Sequence, residues 1–542
     1  MTIDFAIGRP PTLALRGMVV SPHALASEAG VEILRAGGSA VDAAIATSAV
    51  LSVVTPQWTG IGGDAFWLIY DARRKAVRFL NGGGRAAAAA TLDALRSRAH
   101  REIPLRGIVP ATLTVPGAVD SWCAAHAEFG TVPLARALDA AVEYARGGFP
   151  VTERLARWIA LTAEQKVFNA DAAHLFLPDG KVPRAGARLA NPGLADALAA
   201  VAAGGRAGFY EDHVARELAR FARDQGGFFA DADFRAQRSD WGDAISGVYR
   251  GVRIYETPPP TQGFTVLEML SLLEPYAVGK WSFLGPDHVH FLVQAKQIAY
   301  HDRDTCLADP GFASVPVERL ISRAYADERR KLIDPARALP WDKVPSYGSL
   351  AGGTVFVSAV DAEGNAAALI HSVYSVFGSG VVAGRTGIVL QNRGAYFSLD
   401  PDHPNRLEPG KRPLHTLIAS LAFRGDRLWQ TLGCMGADGQ PQIHLQAYTA
   451  MLDFGLDVQA AVEMPRWLSG RFGIGDPRDL LNIEGRYPAE TIAALERRGH
   501  IVNRWPDWNE LAGHAHGITI DPESGTLAGG ADPRSDGAAI GY

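Results

Sequence analysis

Cysteine is scarce in this sequence, and its placement does not suggest a disulfide or a metal site. The 542 residues include only Cys123, Cys306 and Cys434. An odd, widely spaced set without a Cys-x-x-Cys pair is most simply explained as buried free thiols. Neighbouring histidines also lack the helical spacing and nearby carboxylates of a zinc motif, because a single residue separates the members of each pair: His288 and His290, and His514 and His516. We therefore predict neither a metal site nor a cofactor.

Long apolar runs and strongly basic segments are missing as well. No stretch approaches the roughly 18 apolar residues that span a bilayer, and the N-terminal sequence lacks the basic and apolar regions of a signal peptide. The longest basic run is the triplet Arg329, Arg330 and Lys331, in a chain of net charge -5. The sequence therefore offers no basic segment that would bind nucleic acid or an anionic membrane. We expect a cytoplasmic protein that acts on a small molecule, with no nucleic-acid or membrane partner.

The composition is that of a globular protein, and the sequence pattern changes once along the chain. Apolar residues make up 47% and charged residues 20%, which is consistent with a large core. A weakly patterned Pro- and Gly-rich stretch from Pro335 to Gly353 ends a mainly helical region. Thr354 to Asp361 and Ala366 to Ser372 then have the composition of two strands joined by a turn. We therefore divide the chain into residues 1–353 and residues 354–542.

Thr354 occupies a position that suits a self-processing nucleophile. It follows Gly352 and Gly353 and begins a predicted strand. Cleavage of the bond between Gly353 and Thr354 would free an α-amino group, with an ordinary pKa of about 8, on the residue that carries the hydroxyl. One residue would then supply both the nucleophile and the general base. Taken alone, the Gly-Gly-Thr sequence is explained more simply as a loop-to-strand junction, although no Gly-x-Ser-x-Gly elbow offers a serine nucleophile instead.

Several motifs that occur in one order along the chain give Thr354 its context. They are Gly38 to Ala44, Thr59 to Asp64, Val115 to Gly117, Pro258 to Gly263, Ser358 to Asn365, Phe377 to Gly384, Thr386 to Asn392, Phe397 to Leu399 and Pro409 to Pro413. With these motifs, the chain resembles the gamma-glutamyltransferase family over essentially its whole length. The resemblance aligns the family's nucleophilic threonine with Thr354 and the residue before the cut with Gly353.

The resemblance implies a fold and a processing reaction. The expected fold is of the α+β class, as the four-layer αββα sandwich of the N-terminal-nucleophile hydrolases, with both pieces in one intertwined body. The expected enzyme is a precursor that cuts itself before Thr354 into a large chain of 353 residues and a small chain of 189, which remain together as a heterodimer. A dimer of heterodimers is left open. A relative that only binds amino-acid derivatives is the non-enzymatic alternative.

Other catalytic positions carry over one at a time. The family has a second threonine whose hydroxyl contacts the amine of the nucleophile, and Ser372 keeps a hydroxyl there. The family's oxyanion hole is a Gly-Gly pair in a glycine-rich loop, which matches Gly436 and Ala437, with Met435 in place of a proline. Because the donors are backbone N–H groups, an alanine can replace a glycine if its φ angle permits. These residues argue for an enzyme rather than a binding protein.

The positions that hold the two ends of a glutamyl group depart from the family's pattern. Tyr396 stands where an acid holds the α-amino group, and Tyr374 stands where the family has an asparagine. His415 and Thr416 replace paired serines that bind the α-carboxylate. These changes cluster around one end of the substrate. They predict an acyl group that bears an anion but has no α-amino group.

Three residues are candidates for the contact with this anion. Arg393 and His415 are the first two, and Arg85 is the third because the family's own arginine is missing from Asn81 to Gly84. An arginine can grip a carboxylate with two parallel hydrogen bonds, whereas a structural ion pair explains Arg393 equally well and a core histidine explains His415 better. We predict hydrolysis of an oxamate-like or glutaryl-like amide through an acyl-enzyme on Thr354. The alternative is genuine gamma-glutamyl transfer or glutathione hydrolysis.

Overall fold

Helices and strands occur in separate runs along the chain, which the computed structural model describes over residues 9–107, 114–344, 352–472 and 476–542. The strands in these ranges are β1 Thr12–Ala14, β2 Met18–Ser21, β3 Asp64–Asp71, β4 Ala76–Gly82, β5 Phe149–Pro150, β6 Arg188–Leu189, β7 Asp240–Asp243, β8 Ile245–Tyr249, β9 Val252–Glu256, β10 Gly353–Val360, β11 Ala366–Tyr374, β12 Ala419–Arg424, β13 Arg427–Cys434, β14 Trp467–Ser469, β15 Leu480–Ile483, β16 Ile501–Arg504, β17 Ala515–Ile520, β18 Leu527–Ala531 and β19 Ala538–Gly541. Part of the predicted Pro- and Gly-rich stretch, residues 345–351, lies outside the described residues.

The helices are distributed on both sides of Thr354 in the sequence. They are α1 Ala24–Arg35, α2 Ala40–Val54, α3 Leu92–Arg96, α4 Ala118–Phe129, α5 Leu134–Gly147, α6 Glu153–Glu164, α7 Ala170–Phe176, α8 Pro192–Gly204, α9 Arg206–Tyr210, α10 His213–Asp224, α11 Asp231–Ala236, α12 Phe264–Leu273, α13 Pro286–Cys306, α14 Val317–Leu320, α15 Arg323–Arg329, α16 Gln440–Leu452, α17 Val458–Glu463 and α18 Ala489–Arg497. Within the described ranges, no helix has both the length and the apolar character needed to cross a membrane.

The first two helices show how local sequence sets the helix ends. Ser21 is a residue type preferred at a helix N-cap, yet it ends β2, and α1 is capped by His23, whose side chain accepts a hydrogen bond from the N–H of Leu25. In α2, Ser39 and Asp42 form a reciprocal capping box. All fifteen residues of α2 are buried, so this helix belongs to the interior rather than to an amphipathic surface.

Two seven-stranded sheets form the centre of the molecule. The first sheet has the strand order β19-β2-β10-β11-β3-β4-β7, and the second has the order β1-β18-β17-β13-β12-β9-β8. Neighbouring strands in both sheets are antiparallel. Each sheet contains strands from before and after Thr354. The two predicted strands, β10 and β11, are the third and fourth of seven in the first sheet, which places them at its centre.

Alternating side chains separate the layers of the core. On β10, Phe356 packs in a cluster between the sheets with Leu421 of the second sheet, whereas Val355 belongs to a cluster with the helices outside the first sheet. The outer face of the second sheet packs through residues such as Leu432 against α12, α13 and α16. Helices therefore cover the outer faces of two stacked sheets, which confirms the α+β class and the four-layer αββα sandwich.

Candidate active site

Thr354 lies in the middle of the first sheet, at an irregularity in strand pairing. Gly353 pairs with Tyr374 and Val355 pairs with His371, so Thr354 faces two residues of β11 instead of one. A bulge of this kind re-aims the side chain relative to the regular alternation of a strand. Thr354 is buried, with 1% exposure. The bond between Gly353 and Thr354 lies at the start of β10.

The hydroxyl of Ser372 links the candidate nucleophile to the predicted cleavage site. The Thr354 hydroxyl donates to Ser372 Oγ across 3.3 Å, and the Ser372 hydroxyl donates to the carbonyl oxygen of Gly353. The N–H of Tyr374 donates to Ser372 Oγ at 2.7 Å and fixes its position. The Ser372 hydroxyl therefore contacts both Thr354 Oγ1 and the Gly353 carbonyl that Thr354 Oγ1 would attack.

The predicted oxyanion loop reaches the same place from the second sheet. It follows β13 and holds Gly436 at a φ of 145° and Ala437 at 47°, and among the described residues neither N–H donates to a backbone carbonyl. A Cβ built on Gly352 would lie 2.8 Å from the Cβ of Ala437. The loop therefore lies directly beside the cleavage site. Such proximity is necessary if the nucleophile and the oxyanion donors are to surround one carbonyl.

Arg393 forms the centre of a second buried cluster next to Tyr374. Its side chain has 0% exposure, and its Nη1 donates to Thr416 Oγ1 at 3.0 Å. The guanidinium carbon lies 4.4 Å from the ring centre of Tyr374 and 5.3 Å from that of Tyr396. Nε and Nη2 have no hydrogen-bond partner among the described residues. Burial lowers the pKa of Arg393 from its ordinary value, with the neighbouring tyrosines opposing the shift.

His415 lies behind this cluster and is neutral at physiological pH. Its Nε2 lies 3.0 Å from Asp64 Oδ2, so Nε2 carries the hydrogen and Nδ1 keeps a lone pair. Burial, followed by the positive charge of Arg393, lowers the pKa of His415 to about 3. The other oxygen of Asp64 accepts from the N–H of Gly84 at 2.8 Å and from Gln391 at 3.0 Å. Arg393, rather than His415, therefore carries the positive charge at this site.

The structure does not bring Arg85 to the Arg393 cluster. Its guanidinium donates to Asp240 at 2.8 Å and to the carbonyl oxygen of Gly410 at 3.2 Å. Its side chain is 32% exposed. Of the three candidates for the anion contact, only Arg393 is charged and has buried N–H groups without a partner among the described residues.

Sequence reasoning missed four residues around the loop and the arginine cluster. Gln262 and Arg303 contact the oxyanion loop and its neighbour Asp438. Arg106 donates to the carbonyl oxygens of Val376 and Gly378, at 2.5 and 2.8 Å, just beyond Tyr374. Burial lowers the pKa of Arg106 to about 10. Of the four, Gln262 and Asp438 carried a sequence signal, because Gln262 lies inside the motif Pro258 to Gly263 and Asp438 directly follows Ala437 in the predicted oxyanion loop.

Comparison with known proteins identifies the family of the chain. The family description Gamma-glutamyltranspeptidase matches residues 26–542. The chain is 42% identical to the glutathione hydrolase-like YwrD proenzyme of Bacillus subtilis, over 98% of this chain and 99% of that protein. It is 37% identical to the oxamate amidohydrolase proenzyme of Klebsiella pneumoniae, again over 98% and 99%. The crystal structure of a cephalosporin acylase from Bacillus halodurans matches with a TM-score of 0.90 and 36% identity, covering 100% of this chain and 98% of that one.

The αββα fold and these similarities define the class of N-terminal-nucleophile amidohydrolases, enzymes made as precursors that process themselves. Within that class, the chain belongs to the gamma-glutamyltranspeptidase family. Its precursor is cleaved into two chains, and the mature enzyme acts on a small-molecule amide.

Proposed function

We propose that Thr354 is the nucleophile of an amidohydrolase whose acyl substrate carries a carboxylate but no α-amino group. Self-cleavage after Gly353 frees the amine of Thr354, which takes the proton of the hydroxyl as Oγ1 attacks the substrate carbonyl. The N–H groups of Gly436 and Ala437 stabilise the oxyanion of the tetrahedral intermediate. The leaving amine departs with a proton from the Thr354 ammonium, and water releases the acid from the acyl-enzyme.

The proposal for the substrate rests on the open hydrogen-bonding positions of Arg393. A buried guanidinium costs free energy unless its N–H groups are paired, and Nε and Nη2 have no partner in the described part of the chain. These two groups form one edge of the planar fork that binds a carboxylate through parallel hydrogen bonds. The ring of Tyr374 contacts this guanidinium, and the backbone of Tyr374 pairs with Gly353, the residue before Thr354. A short dicarboxylic monoamide, of the oxamate or glutaryl type, would place its carboxylate on this edge of Arg393 and its amide carbonyl beside Thr354.

The same cluster disfavours a glutamyl group. Tyr396 takes the place of the acid that holds the ammonium in gamma-glutamyl enzymes, and the cationic Arg393 lies against its ring, 5.3 Å from the ring centre. Asp438 Oδ2 lies 3.2 Å from the Tyr396 hydroxyl, but the other oxygen of Asp438 accepts from Arg303. An ammonium in this pocket would lie beside a guanidinium and would have no unpaired carboxylate among the described residues as a partner. Burying it there without water costs on the order of several kcal/mol.

Gamma-glutamyl transfer or glutathione hydrolysis is the second candidate. Its support is the similarity to the glutathione hydrolase-like protein of Bacillus subtilis and the position of Asp438 behind the Tyr396 hydroxyl. Rotation of Tyr396 would bring that carboxylate into contact with an ammonium. A cytoplasmic location and a dimer of heterodimers remain part of the proposal, to be tested by cell fractionation and by the mass of the mature protein in solution.

The deciding experiment compares turnover of three matched amides by the processed enzyme: an oxamate, a glutaryl and a gamma-glutamyl compound. We expect one of the first two to be cleaved fastest. Arg393→Met should lower kcat/KM for that substrate by about a hundredfold, the effect of ~3 kcal/mol from two charged hydrogen bonds. Arg85→Met is the control, because Arg85 binds Asp240 outside the cluster, and it should change the rate less than threefold. Faster turnover of the gamma-glutamyl compound by the unmodified enzyme contradicts the proposal.

A further inference from the structure

Gln262 is a fully buried side chain that joins three parts of the site. Its Nε2 donates to the carbonyl oxygen of Thr416 at 2.8 Å and to that of Ala437 at 3.0 Å. Its Oε1 accepts from Arg303 Nη1 at 2.6 Å. We propose that Gln262 is a positioning residue that holds the oxyanion loop in its active conformation and couples that loop to the carboxylate-binding arginine. The coupling part of this inference rests on the proposed function.

The backbone around Gln262 fixes its side chain close to the site. The N–H of Gln262 donates to the carbonyl oxygen of His415 at 3.1 Å, and the N–H of His415 donates to that of Pro260 at 2.8 Å. The segment before α12 is therefore tied to the segment that carries Thr416. Gln262 reaches Ala437 from this anchored position, so movement of either segment is transmitted to the loop.

Arg303 determines which way the Gln262 amide faces. An arginine has only donors, so Oε1 must point toward Arg303 and the two hydrogens of Nε2 toward the carbonyl oxygens. Arg303 is itself held by Asp304 at 2.6 Å and by Asp438, and the Tyr300 hydroxyl donates to the carbonyl oxygen of Asp438. These residues of α13 hold one side of the oxyanion loop while Gln262 holds Ala437.

The loop needs such support because Ala437 adopts a backbone conformation that favours glycine. Its φ of 47° lies in the left-handed region, where a residue with a Cβ is strained. The hydrogen bond from Gln262 to the Ala437 carbonyl stabilises this conformation, which aims the two N–H groups at the reacting carbonyl. Without that bond, Ala437 would relax toward a negative φ and the donors would turn away.

A chain of contacts leads from the carboxylate pocket to the loop. Arg393 Nη1 donates to Thr416 Oγ1, the Thr416 carbonyl accepts from Gln262, and Gln262 donates in turn to Ala437. A substrate carboxylate that orders Arg393 would also order Thr416 and hence the loop. Binding at the remote end of the acyl group would then raise kcat as well as affinity, which is how remote binding contributes to catalysis.

The test replaces Gln262 with methionine, which keeps the length of the side chain and removes its hydrogen bonds. For the best carboxylate-bearing amide, Gln262→Met should lower kcat at least tenfold and change KM less than twofold. The control is Gln446→Met, because Gln446 is also buried and donates to two carbonyl oxygens, those of Gln442 in α16 and Trp467 in β14, neither of which belongs to Ala437 or Thr416. An equal loss of kcat in the control, or an unchanged kcat in Gln262→Met, overturns the inference.

A second variant separates positioning from a general loss of stability. Ala437→Gly removes the cost of the positive φ and keeps the N–H donor. The kcat of the double variant Gln262→Met with Ala437→Gly should therefore be at least threefold higher than that of Gln262→Met alone. Absence of any recovery contradicts the role assigned to Gln262. Recovery of the melting temperature without recovery of kcat contradicts it as well.

A double-mutant cycle with Arg393→Met tests the coupling. If Gln262 links the pocket to the loop, the loss caused by Arg393→Met should be several-fold smaller when Gln262→Met is already present. If the two variants lower kcat by factors that simply multiply in the double variant, the coupling is overturned, but the proposal for the substrate still stands. If Arg393→Met alone lowers the turnover of carboxylate-bearing and uncharged acyl amides equally, the proposed function is overturned instead. The two failures are therefore distinguishable.

Discussion

The Ser372 hydroxyl donates a hydrogen bond to the carbonyl oxygen of Gly353, the residue that precedes the candidate nucleophile. Attack by Thr354 would place negative charge on that oxygen, and a donor already in contact with it stabilises the charge. We expect Ser372→Ala to slow self-cleavage by about a hundredfold, and Ser372→Thr to keep most of the rate because it keeps the hydroxyl. A time course of intact mass after expression measures both. Cleavage of Ser372→Ala at the unmodified rate would exclude this role.

Thr354→Ala should remain one chain of 542 residues and be inactive, because it lacks both the attacking hydroxyl and the processed amine. The unmodified protein should give masses that correspond to residues 1–353 and 354–542. Thr354→Ser should give the same two masses more slowly, since its hydroxyl remains but the serine rotamer is less restricted than that of a β-branched residue. Detection of a cut at this bond in Thr354→Ala would remove the autocatalytic mechanism.

The sequence contained most of the information that locates Thr354. The pair of strands, the glycines before it and the order of the motifs predicted a central hairpin and a nearby glycine-rich loop, and the fold confirms the hairpin at the centre of the first sheet. These features are local, because strand periodicity and turn residues act over a few neighbours. The bulge at Thr354 was not predictable from the sequence, because it depends on how the residues of β10 pair with those of β11.

The anion pocket depends on contacts between distant residues, and here the sequence was less informative. Arg85 was a reasonable candidate by position, but the fold places Asp240 beside it, 155 residues away in sequence. Gln262 and Arg303 approach Ala437 and Asp438 from more than a hundred residues away. No periodicity or local motif specifies which of many buried polar residues will meet across such separations.

Gly353 has no space for a side chain. A Cβ there would lie 2.8 Å from the carbonyl oxygen of Gln57 and 2.9 Å from the ring of Trp58, and overpacking of this kind typically costs ~1–3 kcal/mol. We expect Gly353→Ala to displace the start of β10 from Ser372 and to slow self-cleavage at least tenfold, as measured by electrophoresis over time. The control is Gly242→Ala on the edge strand β7, where the nearest atom is 3.6 Å away. Equal rates in the two variants would argue against a steric requirement.

Acid should destabilise the folded protein through buried histidines that are neutral at pH 7. Burial lowers the pKa of His371 to about 4, below the ordinary value of about 6.5. The unfolded chain therefore binds the proton first, so the stability is fully present above pH 6.5 and falls as the pH drops toward 4. At pH 5 the loss is about 2 kcal/mol for one such group. The same direction applies to other buried histidines: His288, His415 and His516.

The corresponding measurement is the thermal midpoint at pH 7.5 and pH 5.0, at one heating rate. His371 contacts Ser48 and the carbonyl oxygen of Gly60, so His371→Gln will lower both midpoints. The readout is the difference between the two pH values, which should be smaller in His371→Gln than in the unmodified protein. His213→Gln, at an exposed position, should leave the difference unchanged. A midpoint that rises at pH 5.0 would contradict the linkage.

Tyr396 is the position at which substrate preference should be easiest to change. Its ring lies against Arg393 and packs on Tyr374 at a tilt of 41°, with 4.7 Å between ring centres. In Tyr396→Asp, a carboxylate and a guanidinium would lie side by side, an arrangement that can hold an α-ammonium and an α-carboxylate together. We expect the ratio of gamma-glutamyl to glutaryl turnover to rise at least tenfold. Tyr396→Asn is the matched control, because it has the same size as aspartate but no charge, and its ratio should stay within threefold of the unmodified enzyme. An equal rise in both variants would mean that space, rather than charge, excludes the glutamyl group.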